Sequence, residues 1–260
     1  MTDDDRLRGG AYARRQLFGG LKLLTWSHGS RFRVARDLVA PHAGARLLDY
    51  GCGDGTFLAM VGDLFPSAVG AEVDAALAKD AAARFADAPG VSFVHVDALA
   101  AEPDGSFGAA VCMEVLEHCT PEAADRVISE LRRLVAPGGV AIVSVPVETG
   151  PALAFKQAYR ALAARRGMEG YRDRETYRPG EMLRMLFAGG GTAIDRPVYH
   201  SHFPDGRPNV YHGHKGFNWR ALRRRLGAGF HVRRTVFSPA PALGPLLNSQ
   251  AWFVCTPRQG

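Results

Sequence analysis

The sequence predicts an α/β domain with a mostly parallel β-sheet and helices on both faces. Through residue 146, short apolar segments alternate with helical segments about every 20 to 25 residues. This rhythm is typical of βαβ units, whose right-handed crossovers place the helices on the faces of a parallel sheet. The first apolar segment runs into a glycine-rich turn, and no repeat or low-complexity linker interrupts the chain. We therefore predict a single domain over residues 1–260.

The elements follow from runs of apolar residues bounded by Gly, Pro or acidic residues, and from apolar stripes at helical spacing. Residues 1–42 are predicted to form an N-terminal helical cap, with a break at residues 27–30 and an end at Pro41. Strands are predicted at residues 46–50, 68–72, 91–96, 108–113, 140–145, 230–237 and 250–256. Further helices are predicted at residues 56–64, 75–86, 121–135, 151–166, 180–188 and 218–226, with a loop-rich stretch at 189–216.

Composition and charge narrow the function classes. The chain has 32 Lys and Arg against 26 Asp and Glu, a formal net charge of +6. Since no block of five like charges appears, we interpret the basic surface as solvated: no DNA partner is expected and RNA is disfavoured. The four cysteines form no Cys-x-x-Cys pair, which indicates a reducing compartment. The acidic N-terminus and the lack of an apolar run of about 20 residues predict a cytoplasmic protein.

The strongest local signal is the turn Gly51-Cys52-Gly53-Asp54-Gly55, which joins the first strand to a helix. Glycines there allow a ligand to lie directly on the backbone, beyond the carboxyl end of the strand. A dinucleotide site prefers Gly-x-Gly-x-x-Gly, whereas here the third glycine comes one residue early. Asp49 and Asp54 flank the loop, so a cationic ligand is favoured over a pyrophosphate. A plain tight turn is the alternative.

Two further acids end the next two strands. Glu72 closes the second strand, where a carboxylate can accept hydrogen bonds from both hydroxyls of a ribose. Asp97 follows the third strand at the same edge of the sheet and can accept from an exocyclic amine of adenine, while the N–H of Ala98 can face a ring nitrogen. Asp74 is instead predicted to cap the following helix.

At this point the chain resembles the class I S-adenosylmethionine-dependent methyltransferase family. The matching stretches are LLDYGCGDGTFL (47–58), VGAEVD (69–74), VHVDA (94–98), FGAAVCMEVLEH (107–118) and LRRLVAPGGVAIVSVP (131–146). The resemblance implies a Rossmann-like, doubly wound sheet of seven strands with the last antiparallel, and S-adenosyl-L-methionine as the cofactor. The candidate cofactor-binding residues are Asp49, Gly51, Cys52, Gly53, Glu72, Val73, Asp97, Ala98, Met113 and Glu114.

The resemblance also implies how these residues divide the cofactor. Its methionine part would lie over Asp49, Gly51 and Gly53, with the backbone near Met113 and Glu114. Its ribose would meet Glu72 and its adenine Asp97. Asp is also common in the family where Glu72 stands, and both carboxylates serve the same purpose.

The candidate catalytic residues are three histidines. His118 follows the fourth strand and is expected to face the methyl acceptor, as a general base or in a structural hydrogen bond. His202 and His214 belong to two His-x-His motifs, at residues 200–202 and 212–214, and can contact the acceptor or serve as the base. Metal binding by these motifs is the alternative, but they lack a nearby Cys or a helical i,i+4 pair, so we expect no metal ion.

The acceptor class follows from the residues after the fourth strand. Family members that methylate base amines usually carry Asn/Asp-Pro-Pro-Tyr/Phe there, whereas this chain has Glu-Val-Leu-Glu at 114–117. This favours a small-molecule or lipid-linked acceptor, methylated at a hydroxyl oxygen. The amphipathic helix at 151–166 is expected to cover the acceptor pocket or to touch an anionic membrane. Tyr171, Tyr177 and Tyr211 are further candidates to line that pocket.

Three rival functions stay open from the sequence alone: a non-catalytic, S-adenosylmethionine-binding regulator, an NAD(P)-dependent oxidoreductase and an RNA methyltransferase. The intact acids and glycines disfavour the first. The short glycine spacing and Asp97 disfavour the second, and only the net charge suggests the third. The sequence assigns no oligomeric state.

Overall fold

The computed structural model describes residues 2–18, 22–166 and 176–258. The N-terminal segment forms three helices: α1 (Asp3–Gly9), α2 (Ala11–Gln16) and α3 (Lys22–Val39). The predicted break at residues 27–30 is wrong, because α3 runs through it without interruption. Gly in a helix interior costs only about 1 kcal/mol relative to Ala. The burial of Phe32, Ala35 and Val39 in the core beside the sheet outweighs that cost.

Seven strands form the main sheet, as predicted. They are β1 (Arg46–Tyr50), β2 (Ser67–Glu72), β3 (Val91–His95), β4 (Phe107–Met113), β5 (Val135–Pro146), β8 (Phe230–Ser238) and β9 (Gln250–Pro257), while β6 (Val198–His202) and β7 (Pro208–His212) pair separately. The order across the sheet is β3-β2-β1-β4-β5-β9-β8. Strand β9 is antiparallel to both of its neighbours, β5 and β8, and the other pairs in this sheet are parallel. The predicted antiparallel last strand is therefore confirmed.

The sheet topology fixes where a ligand can bind. Strands β2 and β4 flank β1. The chain leads from β1 outward through β2 to β3 on one side, and it then crosses from β3 to β4 and β5 on the other side. Open α/β sheets bind ligands in the crevice beyond the carboxyl ends of the strands at such a switch point. Tyr50, Glu72 and Met113 end β1, β2 and β4, so their neighbours form the rim of that crevice.

Helices cover the sheet on both faces and bury two apolar clusters against it. They are α4 (Thr56–Val61), α5 (Ala75–Arg84), α6 (Pro121–Leu134) and α9 (Trp219–Gly229) together with α3. The carboxylate of Asp74 accepts from the backbone N–H groups of Ala76 and Leu77, which confirms the predicted cap of α5. Asn218 caps α9 in the same way, through Arg220 and Ala221.

The remaining elements lie in the last third of the chain. They are α7 (Pro151–Arg165), α8 (Pro179–Leu186), α10 (Gly244–Leu247) and the hairpin of β6 and β7. The hairpin falls in the stretch predicted as loop-rich. Most of its strand residues are exposed, so it lacks the alternation of apolar and polar residues by which a half-buried strand is recognised. No described helix combines the length and the apolar character needed to cross a membrane.

Candidate functional site

The glycine-rich turn forms the floor of the crevice. Gly51, Gly53 and Gly55 all have positive φ angles, of 77°, 54° and 74°. A Cβ atom at Gly51 would lie 2.3 Å from Cγ2 of Val115, so this glycine is required by close packing. A Cβ atom at Gly53 would meet no atom of the described residues within 4 Å. Gly53 therefore presents bare backbone to open space, where a ligand can approach it.

Asp49 lies beneath this turn with its charge unsatisfied. Its side chain is buried, and neither carboxylate oxygen has a hydrogen-bond partner among the described residues. Burial, and after it the nearby negative charges of Glu72 and Asp54, raise the pKa of Asp49 to about 8. An unpaired buried carboxylate is costly, so a cationic group of a ligand is the partner that it lacks.

Glu72 ties the glycine turn to the end of β2. One carboxylate oxygen accepts from the backbone N–H of Gly53 at 2.8 Å. The other accepts from Val73 at 2.8 Å and from Asp74 at 3.1 Å. A carboxylate offers about four acceptor sites, so one remains for a ligand hydroxyl. Glu72 therefore both shapes the floor and lines the crevice.

Asp54 has a different role from that predicted. One of its carboxylate oxygens accepts from the backbone N–H of Tyr12 at 2.8 Å. The other accepts from the hydroxyl of Thr56 at 2.6 Å and from its backbone N–H at 3.1 Å. Asp54 therefore holds α2 and α4 against the turn, and its charge is satisfied by the protein itself.

The ends of β3 and β4 supply the sides of the crevice. Asp97 lies in a short 3₁₀ segment after β3, with its side chain 85% exposed and 3.2 Å from the ring of His95. Glu114 follows Met113 and is the one described non-glycine residue with a positive φ, 56°. Its carboxylate accepts from the Ser144 hydroxyl at 3.2 Å and lies 3.4 Å from the guanidinium of Arg31. Strain of this kind is typical of functional sites.

A cavity of about 1110 Å³ joins these groups. Six of the candidate cofactor-binding and catalytic residues line it: Gly51, Glu72, Val73, Asp97, Glu114 and His118. Asp49, Cys52, Gly53, Ala98 and Met113 are not among its lining residues. Its opposite wall is the hairpin, through Phe203, Val210 and Tyr211. The cofactor edge of the sheet and His118 therefore share one space.

Two of the three candidate histidines lie together. The rings of His118 and His214 are 5.0 Å apart, centroid to centroid. Nδ1 of His118 lies 2.9 Å from the carbonyl oxygen of His212. Because a carbonyl only accepts, Nδ1 carries the proton and Nε2 keeps a free lone pair. Burial lowers the pKa of His214. His202 is exposed on β6 and is not among the lining residues of the cavity.

Several residues that shape the site were not predicted. Arg207, at the hairpin turn, donates to the carbonyl of Val73 at 3.0 Å and lies 2.9 Å from Nε2 of His95. Arg31, on α3, pairs with Glu114. Each contact joins residues far apart in the chain, which leaves no local sequence signal. For Glu117 a signal existed in its position directly before His118.

The helix predicted as a lid or membrane contact, α7, contributes no residue to this cavity. Two of its basic residues turn inward: Lys156 and Arg160 lie 3.0 and 3.1 Å from the buried carboxylate of Glu148. Burial raises the pKa of Glu148, but the two cations outweigh it and the net shift is downward. Of the candidate tyrosines, Tyr211 lines the cavity.

The other two tyrosines lie elsewhere. Tyr177 packs under the ammonium of Lys215, 5.3 Å from its ring centroid. Tyr171 lies outside the described residues.

Comparison with known proteins shows that part of this chain is similar to methyltransferases. A family model described as a methyltransferase domain matches residues 47–139. An uncharacterised methyltransferase of Mycobacterium tuberculosis is 33% identical over 119 residues, which cover 45% of this chain and 59% of that protein. A ubiquinone biosynthesis O-methyltransferase of Xanthomonas oryzae pv. oryzae is 36% identical over 155 residues, 55% of this chain and 61% of that protein. The chain thus spans about three fifths of these relatives.

The fold has solved counterparts as well. The structure of a putative S-adenosylmethionine-dependent methyltransferase from Listeria monocytogenes superposes with a TM-score of 0.56 at 16% identity. The match covers 89% of this chain and 100% of that one. At this identity the likeness establishes the fold.

Proposed function

We propose that the chain, whose residues 47–139 match a methyltransferase domain, is a class I S-adenosylmethionine-dependent methyltransferase that methylates a hydroxyl oxygen of a small or lipid-linked metabolite. The observation that carries the proposal is the shared cavity, which is lined by Gly51 of the glycine turn, by Glu72 and by His118. A cofactor and an acceptor bound there would be held side by side, which is the main requirement of a displacement reaction.

The residues present fit the cofactor. Asp49 offers an orphaned buried carboxylate to an ammonium, and Gly53 offers open backbone. Glu72 would hold the ribose through its remaining acceptor site, and Asp97 with the N–H of Ala98 would hold the adenine. Val73 and Glu114 line the cavity and would complete its walls, whereas Cys52 and Met113 do not line it and stay predictions from the sequence. When bound, S-adenosylmethionine supplies a methyl group on a sulfonium, which leaves as a neutral thioether.

The chain's own residues would align the acceptor and accept its proton. Among the three candidate histidines the contacts favour His118, since it lines the cavity and its Nε2 lone pair is free. His214 packs against it and would keep its ring in place. A general base of this kind contributes about 10²- to 10⁴-fold to the rate. His202 is exposed and does not line the cavity, so it is less favoured than His118.

A hydroxylated, partly apolar acceptor fits the cavity best. Val115, Phe203 and Val210 give it apolar wall, while Tyr211 and Asn209 add polar atoms. A relative at 36% identity is named as an O-methyltransferase of ubiquinone biosynthesis. The stretch after β4 also lacks the Asn/Asp-Pro-Pro-Tyr/Phe motif of base-amine methylation.

The test is a transfer assay with labelled cofactor against a panel of water-soluble phenols, prenylated phenols in detergent micelles, and amines. We expect transfer to phenolic hydroxyls and a loss of 10²-fold or more in kcat for His118→Gln. His231→Gln, at an exposed position of β8, is the matched control and should keep full activity. Transfer to amines alone would overturn the hydroxyl assignment. S-adenosylhomocysteine binding without transfer to any acceptor class would indicate a regulatory binder instead.

A further inference from the structure

Glu117 is a buried carboxyl group without a hydrogen-bond partner among the residues that the structure describes. Its side chain is 0% exposed, and neither oxygen has a hydrogen bond within the described part of the chain. The nearby Arg196 donates to the backbone carbonyl of Glu117, not to its carboxylate. The Arg31 guanidinium is paired with Glu114. Burial of an unsatisfied carboxyl is costly, so a missing partner is indicated.

Two imidazoles stand beside this carboxyl. Nε2 of His118 lies 3.8 Å from Oε1 of Glu117. Glu117, His118 and His214 each offer one atom that can bind a metal ion, and these three atoms lie within 4.8 Å of one another. The hydrogen bond from Nδ1 of His118 to the His212 carbonyl leaves the Nε2 lone pair free. Metal-binding histidines are oriented in the same way, by a hydrogen bond from the other ring nitrogen to a carbonyl or carboxylate.

We propose that Glu117, His118 and His214 form a binding site for a divalent first-row transition metal ion, such as Zn²⁺ or Mn²⁺. One carboxylate and two imidazoles suit these ions, whereas Ca²⁺ and Mg²⁺ prefer sets made of oxygen atoms. The bonds between such an ion and its nitrogen or oxygen ligands are about 2.0–2.2 Å long. Side-chain rotations that move the three ligand atoms by about 1 Å would bring them to this distance from a shared ion.

The sequence pointed away from this site for a clear reason. The expectation of no metal ion rested on the His-x-His motifs taken as ligand pairs. In the structure only His214 of those motifs takes part. The other two ligands come from the segment directly after β4, and His212 contributes its backbone carbonyl.

The site adjoins the acceptor side of the cavity, because His118 lines both. Resting on the proposed function, the ion would coordinate the acceptor hydroxyl at an open position and lower its pKa. The hydroxyl proton passes to solvent, the oxygen forms the new bond to the methyl carbon, and the carbon–sulfur bond breaks with its electron pair left on sulfur. Nε2 of His118 then binds the ion instead of accepting the proton.

The experiment measures metal binding apart from activity. The full chain is stripped with EDTA, transferred to metal-free buffer and titrated calorimetrically with ZnCl₂ and MnCl₂. Co²⁺ is titrated in parallel and followed by its visible absorption. We expect about one ion per chain. Glu117→Gln and His214→Asn should each weaken binding more than about 100-fold, beyond the effect typical of residues outside the ligand set. His231→Asn is the control and should bind like the wild type.

The melting temperature of Glu117→Gln shows whether misfolding, rather than loss of a ligand, explains weaker metal binding. Because it removes a buried carboxyl without a partner, the metal-free variant should melt no lower than the metal-free wild type. Absence of stoichiometric binding in the wild type, or equal binding by both ligand variants, would overturn the proposal. Titration of the same samples with S-adenosylhomocysteine separates the two claims: its binding without metal binding refutes this site alone, and metal binding without it refutes the proposed function alone.

Discussion

The cofactor edge and the acceptor wall of the cavity are built in opposite ways. At the cofactor edge, Glu72 holds Gly53 only 19 residues away, inside one βαβ unit. At the acceptor wall, the contact of Arg207 with Val73 spans 134 residues, and that of His118 with His212 spans 94. Local sequence therefore specifies the first region, while the second depends on how the last third of the chain packs on the sheet.

The largest effect is expected from a change that blocks the cofactor edge without disturbing the wall. Gly53→Val places a side chain in space where no atom of the described residues lies within 4 Å. It should therefore weaken S-adenosylhomocysteine binding more than about 100-fold, by collision with the ligand, as measured by calorimetry. The backbone strain of a branched residue at positive φ should cost only about 1–2 kcal/mol of stability.

Gly44→Val is the matched control for that strain. Gly44 also has a positive φ, 84°, and open space around its Cβ position, but it lies in the turn before β1. The two variants should lose similar stability, and only Gly53→Val should lose the ligand. If both variants bind normally, the glycine turn is not the floor of the site.

Glu72→Ala should act on the same edge with a smaller effect. Loss of hydrogen bonds to a charged acceptor is worth about 1.5–3 kcal/mol, so the ligand should bind roughly 10- to 150-fold more weakly. Glu72→Asp, which keeps a carboxylate, should recover most of the affinity. Unchanged affinity of the Ala variant would show that the ribose does not meet this residue.

The charge state of Asp49 predicts a pH dependence at the cofactor edge. With its pKa raised to about 8, the free protein holds this proton below that pH and must release it to meet a ligand ammonium. Affinity should rise by up to about tenfold per pH unit from pH 6 and level off near pH 8. Asp49→Asn should bind weakly with no such rise. Because the folded pKa lies above the unfolded value, Asp49 also destabilises the fold as pH rises from about 4 to about 8.

The smallest effect is expected at the wall. Arg207→Ala removes the contacts that fasten the hairpin turn to Val73 and His95. Equilibrium affinity should change by less than about 1 kcal/mol, since these contacts are partly exposed. Proteolysis within residues 198–212 should become faster, and both the association and dissociation rates of the ligand should increase. Lys79→Ala, exposed on α5, is the control. Equal proteolysis of both variants would show that Arg207 does not fasten the hairpin.

The same contrast explains what the sequence could predict. The seven strands, the cap Asp74, and the acids at the ends of β1, β2 and β3 each follow from neighbouring residues. The hairpin could not be predicted from neighbouring residues, because its largely exposed residues give no alternating pattern. The continuity of α3 could not be predicted either, because packing outweighed the tendency of Ser and Gly to interrupt a helix. The role of Arg31 depends on a contact that only the folded chain creates. Glu117 had a local signal in its position before His118, but its burial is a result of folding.

A calorimetric titration of the wild-type protein with S-adenosylhomocysteine, and separately with NADH, tests the central claim most directly. A buried acid without a partner and an open glycine backbone predict that one S-adenosylhomocysteine binds per chain and that NADH does not. Binding of NADH alone, or of neither compound, would contradict it.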